Sequence, residues 1–217
     1  MEKITYKEFP ELLREIPDRP VLLYKKGELP NPSNKLLAVV GSRKYSEYGK
    51  KACERLIKDL SGFPVTIISG LALGIDSIAH RAAIDSNLQT IAIPGSGLNP
   101  EVIYPRSHKD LSEEIIKSGG GLISEFEPDV KGAPQNFPQR NRIIAGMSHA
   151  TLIIEAKEKS GTLITARLAM EYNRDVLTIP GSIFEENSNG PNDLIRDGAT
   201  PVTCAEDILE VLGFDLG

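Results

Sequence analysis

The chain has 217 residues, with 25 Lys and Arg against 30 Asp and Glu, a net charge of −5 and a pI near 5.4. That length suits one domain or one domain with an appendage, and the acidic balance excludes coating of nucleic acid through bulk charge, so any polyanion site must be a local patch. Two distant cysteines, three scattered histidines and no long apolar run argue against a disulfide framework, a metal cluster and a membrane span, and with no secretory leader after Met1 the sequence reads as reduced and cytoplasmic.

Residues 1–35 carry Pro10, Pro17, Pro20, Pro30 and Pro32 around a helix-like stretch (9–16) and a strand-like run (21–24). They are too few to bury their own core, so they read as an arm packed on the main body at 36–217. From residue 36 the pattern is rhythmic, with apolar runs at 36–40, 65–68, 90–93, 122–124, 151–154 and 176–179. They are continuous rather than alternating, as in strands of a largely parallel sheet buried on both faces. Helical stripes lie between and after them. Ala52, Cys53, Leu56, Ile57 and Leu60 make one. Ala205, Ile208, Leu209 and Leu212 make another, opened by an expected capping box of Thr203 and Glu206. This alternation predicts an α/β sandwich with helices on both faces. The longest expected irregular segments are 127–137 and 181–190.

In such sheets ligands bind beyond the carboxyl ends of the strands. Here those ends carry Gly41-Ser42-Arg43, then Ser69-Gly70 with Gly74 and Asp76, then Gly95-Ser96-Gly97 with Tyr104-Pro105. Later come Glu155 with Ser160-Gly161-Thr162, and Pro180-Gly181-Ser182. A single glycine turn is ordinarily just a strand-to-helix connection. All of these turns fall on one edge of one sheet, where open backbone amides and hydroxyls suit an anion. His80 follows Asp76 by one helical turn, which predicts a structural hydrogen bond between them. No turn supplies a complete G-x-G-x-x-G or a Walker lysine, which disfavours a nicotinamide or ATP enzyme. No Ser-His-Asp arrangement is evident, and no cofactor is implied.

The stretch Phe137-Pro138-Gln139-Arg140-Asn141-Arg142 breaks a local rule. Pro138 suits the first position of a helix. A helix start normally attracts acids, yet Arg140 and Arg142 are expected in its first turn. Added cations there make sense if an outside anion, most simply phosphate, occupies the spot. Phe137 either stacks a base or packs inward as a hydrophobic staple.

Taken together, Val40-Gly41-Ser42-Arg43, the 69–76 turn with Ala79-His80, Gly95-Ser96-Gly97 with Tyr104-Pro105, Ser124-Glu125, the 137–142 stretch, Glu155-Ala156, Ser160-Gly161-Thr162 with Thr165-Ala166, and Pro180-Gly181 resemble the DprA family, also called Smf. Phe9-Pro10, Leu13 and the run from Leu23 to Gly27 look like the segment before that family's core. The resemblance implies an extended Rossmann-like three-layer sandwich with a mostly parallel sheet. It implies sequence-independent binding of single-stranded DNA, dimerisation, and loading of the RecA recombinase during natural transformation. By the same analogy Arg43, Phe137, Arg140, Asn141 and Arg142 line a DNA groove, and Gly41, Ser42, Gly70, Ser160, Gly161 and Thr162 cradle phosphates. The implied homodimer surface lies at 190–198 and in the strand and helix beyond. Terminal domains carried by many members do not fit within these residues.

Two rival readings use the same fold. Nucleotide-monophosphate phosphoribohydrolases of the lysine-decarboxylase-like (LOG) family place an acid beside the ribose, within a Gly-Gly-x-Gly-Thr-x-x-Glu motif. Here Ile164 and Thr165 stand where acids would be, leaving Glu125 and Glu155 as substitutes at strand ends. The other rival is a nucleotide sensor whose phosphate pocket holds a free ligand.

Overall fold

The computed structural model describes residues 1–217. One nine-stranded sheet runs through the protein in the order β1-β2-β6-β5-β4-β3-β7-β8-β9. The middle of its seven parallel strands is β3 (Lys35–Val40), with β4 (Val65–Ser69), β5 (Gln89–Ala92) and β6 (Gly121–Ser124) to one side. On the other side lie β7 (Ala150–Ile153), β8 (Asp175–Thr178) and the short β9 (Thr200–Pro201). All these neighbours pair in parallel. The six continuous apolar runs thus become β3 to β8.

Alternate β3 side chains feed opposite faces. Leu37 and Val39 join α2 (Glu47–Asp59), α3 (Ile75–Asp85) and α8 (Ala205–Val211) in one core of 24 buried residues. Leu36, Ala38 and Val40 join α5 (Asn136–Met147), α6 (Gly161–Glu171) and Leu194 of α7 (Glu186–Arg196) in another of 23. The near-equal cores explain why the strands read as unbroken apolar runs. A smaller cluster beneath α4 (Lys109–Lys117) closes the β5–β6 side.

The first 27 residues are woven into this body. β1 (Glu2–Ile4) pairs with β2 (Leu23–Gly27), and β2 pairs with β6, both antiparallel. Between them α1 (Glu11–Glu15) and its flanks bury Phe9, Leu13 and Ile16 in the same core as α5. Arg174 donates to Leu12 O at 3.0 Å, and Tyr172 Oη donates to Asp18 at 2.6 Å.

Two local expectations need correction. The cap of α8 is one residue out of register: Asp207, not Glu206, accepts from the Thr203 and Cys204 amides, at 2.7 and 3.2 Å. Residues 181–190 are only half irregular, because α7 begins at Glu186 and continues through Pro191. A proline in a helix strands the carbonyl four residues earlier. Here that carbonyl, Asn187 O, accepts from Ala156 N at 2.9 Å, and Gly190 N donates back to Ala156 O at 2.9 Å. Tertiary bonds replace the helical ones.

Because Leu13 is fully buried in the shared core, Leu13→Ala should lower stability by about 3 kcal/mol. Thermal unfolding should remain one transition, shifted down by roughly 6–12 °C. A separate early transition with the main one unmoved would show instead that the first 27 residues melt on their own.

Candidate nucleic-acid interface

The strand order reverses between β3 and β7. Connections leave these neighbours in opposite directions and open a crevice outside their carboxyl ends. A cleft of about 680 Å³ fills it. Gly41, Ser42 and Arg43 enter from the β3 end, Phe137, Arg140 and Asn141 from α5, and Ser160, Gly161 and Thr162 from the start of α6. Nine of the eleven residues expected from sequence therefore share one cleft.

Local bonding shapes each wall. Ser42 Oγ accepts from Lys44 N at 3.1 Å and donates to Lys44 O at 2.9 Å, tightening the turn after β3. Gly41 is required by packing, since a Cβ there would sit 2.7 Å from Ile75. Ser160 caps α6 by accepting from Thr162 N at 3.1 Å. Gly161 has nothing within 4 Å of its missing Cβ. The positive end of α6 thus faces the cleft with its surface bare. Asn141 Nδ2 donates to Gly161 O at 3.4 Å and joins α5 to that helix start.

The arginines take roles that differ from expectation. α5 starts at Asn136, two residues before Pro138, so Arg140 and Arg142 lie beyond its first turn. Arg140 is only 4% exposed. Its Nη1 donates to Gly70 O and Ile93 O, and its Nε to Asn141 Oδ1 at 3.1 Å. Asp76, also buried, accepts from the amides of Gly70 and Ala72 at 3.1 and 3.3 Å. Burial pushes the Asp76 carboxyl up, opposed chiefly by Arg140. Burial likewise lowers Arg140 to about 10, which leaves it a cation at neutral pH. Arg140 is thus part of the cleft floor rather than an open phosphate contact.

Gly70 and Arg142 fall outside the main cleft. Both polar groups of the Gly70 peptide are taken, the N–H by Asp76 and the carbonyl by Arg140, so no amide remains for a phosphate. Its lack of a side chain is explained by the same pair, whose atoms lie 2.5 Å from a would-be Cβ. Arg142 points the other way, bonding Glu125 and lying 3.9 Å from Asp18. It ties α5 to β6 and to the first 27 residues. The expected bond between Asp76 and His80 is also absent: His80 Nδ1 lies 2.7 Å from Thr90 Oγ1 instead.

Among the lining residues outside the set expected from sequence are one aromatic and three lysines. Tyr104 joins from the segment after β5, with its ring 5.3 Å from that of Phe137 and tilted 45° to it. Arg43 lies over the other part of this aromatic pair, 5.2 Å from the Phe137 centroid. Lys44, Lys157 and Lys159 complete the set. The lysines were legible as basic neighbours of Arg43 and Ser160. Tyr104 stood out only as part of the Tyr104-Pro105 step after the third strand, and its pairing with Phe137 had no local signal because the two are far apart along the chain.

Five cations and one carboxylate line the cleft. Arg140 and Asp76 offset one another, and Lys157 pairs with Glu186. Arg43, Lys44 and Lys159 are exposed and make no ion pair. The strand-end acids are engaged elsewhere: Glu155 accepts from Ser46 N at 2.9 Å at the start of α2, and Glu125 holds Arg142. No group of three or more His, Cys, Asp or Glu is placed to hold a metal ion.

Fold and cleft together define a Rossmann-like α/β protein with a cationic, aromatic-floored groove at its topological switch point. The chain belongs to the family described as DNA recombination-mediator protein A, whose family model matches residues 2–213. It is 46% identical over 208 residues to protein Smf of Escherichia coli (strain K12), covering 96% of this chain and 55% of that protein. The chain thus spans little more than half the length of that relative. The crystal structure of DNA processing protein A from Streptococcus pneumoniae superposes with a TM-score of 0.90 at 41% identity, covering 100% of this chain and 75% of that one. DNA processing protein A from Helicobacter pylori, whose structure was solved to describe its single-stranded DNA binding mode, gives 0.84 at 28% identity and covers 98% of this chain and 96% of that one.

Beneath the floor, His80 is fully buried. The Thr90 hydroxyl donates to Ile67 O at 3.0 Å. The ring must therefore donate from Nδ1, leaving Nε2 without a partner. Burial, with repulsion from His108 and Arg140, lowers its pKa from 6.5 to about 3. The unfolded chain takes up this proton below pH 6.5 and the folded chain only near pH 3. Stability should therefore be intact above that interval and fall as pH drops through it, by up to about 1.4 kcal/mol per pH unit. Denaturant titrations across the interval should show a shallower loss for His80→Gln, and identical profiles would contradict this assignment.

Proposed function

We propose that the cleft binds single-stranded DNA without sequence preference and without catalysis. The observation that carries this reading is the pairing of three unpaired exposed cations with an aromatic step in one groove. Single-strand binders combine these two elements, charge for the backbone and ring faces for bases. In this reading phosphates lie over Arg43, Lys44, Lys159 and the start of α6, flanked by Ser42 and Asn141. A base stacks on Phe137 and Tyr104. Arg140 holds the floor, and Arg142 acts through the fold. The dinucleotide and phosphoribohydrolase readings fit less well. Ile164 and Thr165 line the cleft where an acid would be needed, and its only carboxylate is buried against Arg140.

Family membership supports a wider role in recombination. We infer that the bound strand is passed to the RecA recombinase in the cytoplasm, as part of natural transformation. A homodimer formed through α7, β9 and α8 would place two clefts on one strand and add avidity. Sedimentation at twice the chain mass of 23.7 kDa, and faster RecA filament growth on single strands in the presence of this protein, are the expected results.

If about four phosphates are neutralised, affinity should fall with salt at a log–log slope near −3. Arg43→Ala and Lys159→Ala should each weaken oligo-dT binding and make that slope shallower by about 0.7. Arg142→Ala should leave the slope unchanged and lower stability instead. Duplex DNA should bind more weakly than single strands, and changing the homopolymer base should matter little. Equal affinity and slope in Arg43→Ala, Lys159→Ala and the wild type would remove the groove assignment.

A further inference from the structure

The β8–α7 turn holds the most exposed aromatic side chain of the protein. Phe184 is 90% exposed and its neighbour Ile183 79%. Isolated apolar residues on a surface are ordinary. These two differ because the turn beneath them is rigidly tied. Phe184 N donates to Ser182 Oγ at 3.2 Å, and Glu185 N to Ser182 O at 3.1 Å. The Asn192 side chain clamps both polar groups of Gly181, at 3.2 and 3.1 Å, and Tyr48 Oη donates to Pro180 O at 2.7 Å. A well-bonded turn thus presents two large apolar side chains to solvent.

The turn also adjoins the cleft. Asn187 Nδ2 donates to Lys44 O at 2.8 Å, and Glu186 pairs with Lys157. Both lysines are cleft residues. Three residues of chain reach at most about 10 Å, so the Phe184 backbone lies within that distance of Asn187.

We propose that Phe184, supported by Ile183, is a second stacking platform, which takes a base of the same DNA strand where it leaves the cleft past Lys44 and Lys157. This rests on the single-strand reading of the cleft. Sequence-tolerant stacking needs an exposed ring held in place beside a backbone track. The tip offers such a ring and no cation of its own. Glu185 and Glu186 follow it, so the strand meets the tip through a base face and not through a phosphate. Self-association through the adjacent α7 would compete for the same apolar pair; the bonds from Asn187 to Lys44 and from Glu186 to Lys157 favour the strand, because they tie the base of this turn to two cleft lysines.

The test is an oligo-dT length series, from about 4 to about 16 nucleotides, bound at fixed salt. Wild-type affinity should rise with length and level off once the strand reaches the tip. Phe184→Ala should match the wild type on the shortest strands and lose roughly five- to tenfold on the longest, about one base–ring stack. Its salt slope should stay unchanged. The chain has no tryptophan, so Phe184→Trp supplies a sole reporter whose emission should be quenched by long strands and not by short ones. Superimposable length profiles for Phe184→Ala and wild type, or Phe184→Trp emission indifferent to long strands, would overturn the proposal. So would a Phe184→Ala variant that loses self-association while its length profile stays intact. Failure of the cleft reading is separately visible, as Arg43→Ala binding every length like the wild type.

Discussion

Arg140 reaches under the cleft from α5 and bonds the backbone carbonyls at the ends of β4 and β5, while Asp76 at the start of α3 holds the Gly70 peptide from the opposite side. Removing a guanidinium and a carboxylate from water is costly by several kcal/mol each. That cost is offset only when charge and hydrogen bonds are nearly all satisfied. The pair therefore fixes where α5 crosses the sheet. Residues spaced three or four apart share a helix face. Once Arg140 is set, Phe137, Asn141 and Ile144 all turn toward the cleft. Arg142, two positions on, is carried to the far side, where Glu125 and Asp18 meet it. One buried contact thus orients the aromatic step and assigns two neighbouring arginines to different tasks.

The same separation runs through the other charges. An acidic chain can bind a polyanion only if its carboxylates are kept from the binding strip. Here the strand-end acids are withdrawn into structural duty, Glu155 at the start of α2 and Glu125 on Arg142. What remains facing solvent is Arg43, Lys44 and Lys159 beside the bare start of α6. Withdrawing the acids also removes the groups that could stabilise an oxocarbenium-like transition state. In the proposed reading, the arrangement that suits phosphate binding is the one that leaves glycosidic cleavage without its carboxylate.

Strand positions were legible because a sheet buried on both faces leaves unbroken apolar runs, and the runs at 36–40 and 151–154 became the two strands that flank the cleft. The convergence of Ser42 and Gly161 followed from parallel topology, whereas Asn141 is brought in by α5. Burial of a charged side chain was not legible. Arg140 and Arg142 are two residues apart and chemically identical, and their partners lie 70, 47 and 17 residues away. Tyr104 was named only as a strand-end residue, and its role beside Phe137 was hidden for the same reason, since the two meet only through the sheet order. The expected irregular segment at 181–190 hid the start of α7 for a related reason: the helix runs through Pro191 because Ala156 supplies the bond that the proline removes. Such long-range rescues have no local signature.

A flexible single strand loses conformational freedom wherever it is held, and a mobile receptor would add its own loss. The walls of this cleft are already ordered by side-chain bonds to backbone: Ser42 in its turn, Ser160 on α6, Asn141 across to Gly161, Asn187 onto Lys44. Only the exposed side chains of Arg43, Lys44 and Lys159 remain to be fixed on binding. Their partners in the proposed complex are phosphates, which are the same at every nucleotide. In the proposed complex this preorganisation supports affinity without a base preference, because the rigid elements are assigned to the backbone or a ring face and none to a base edge.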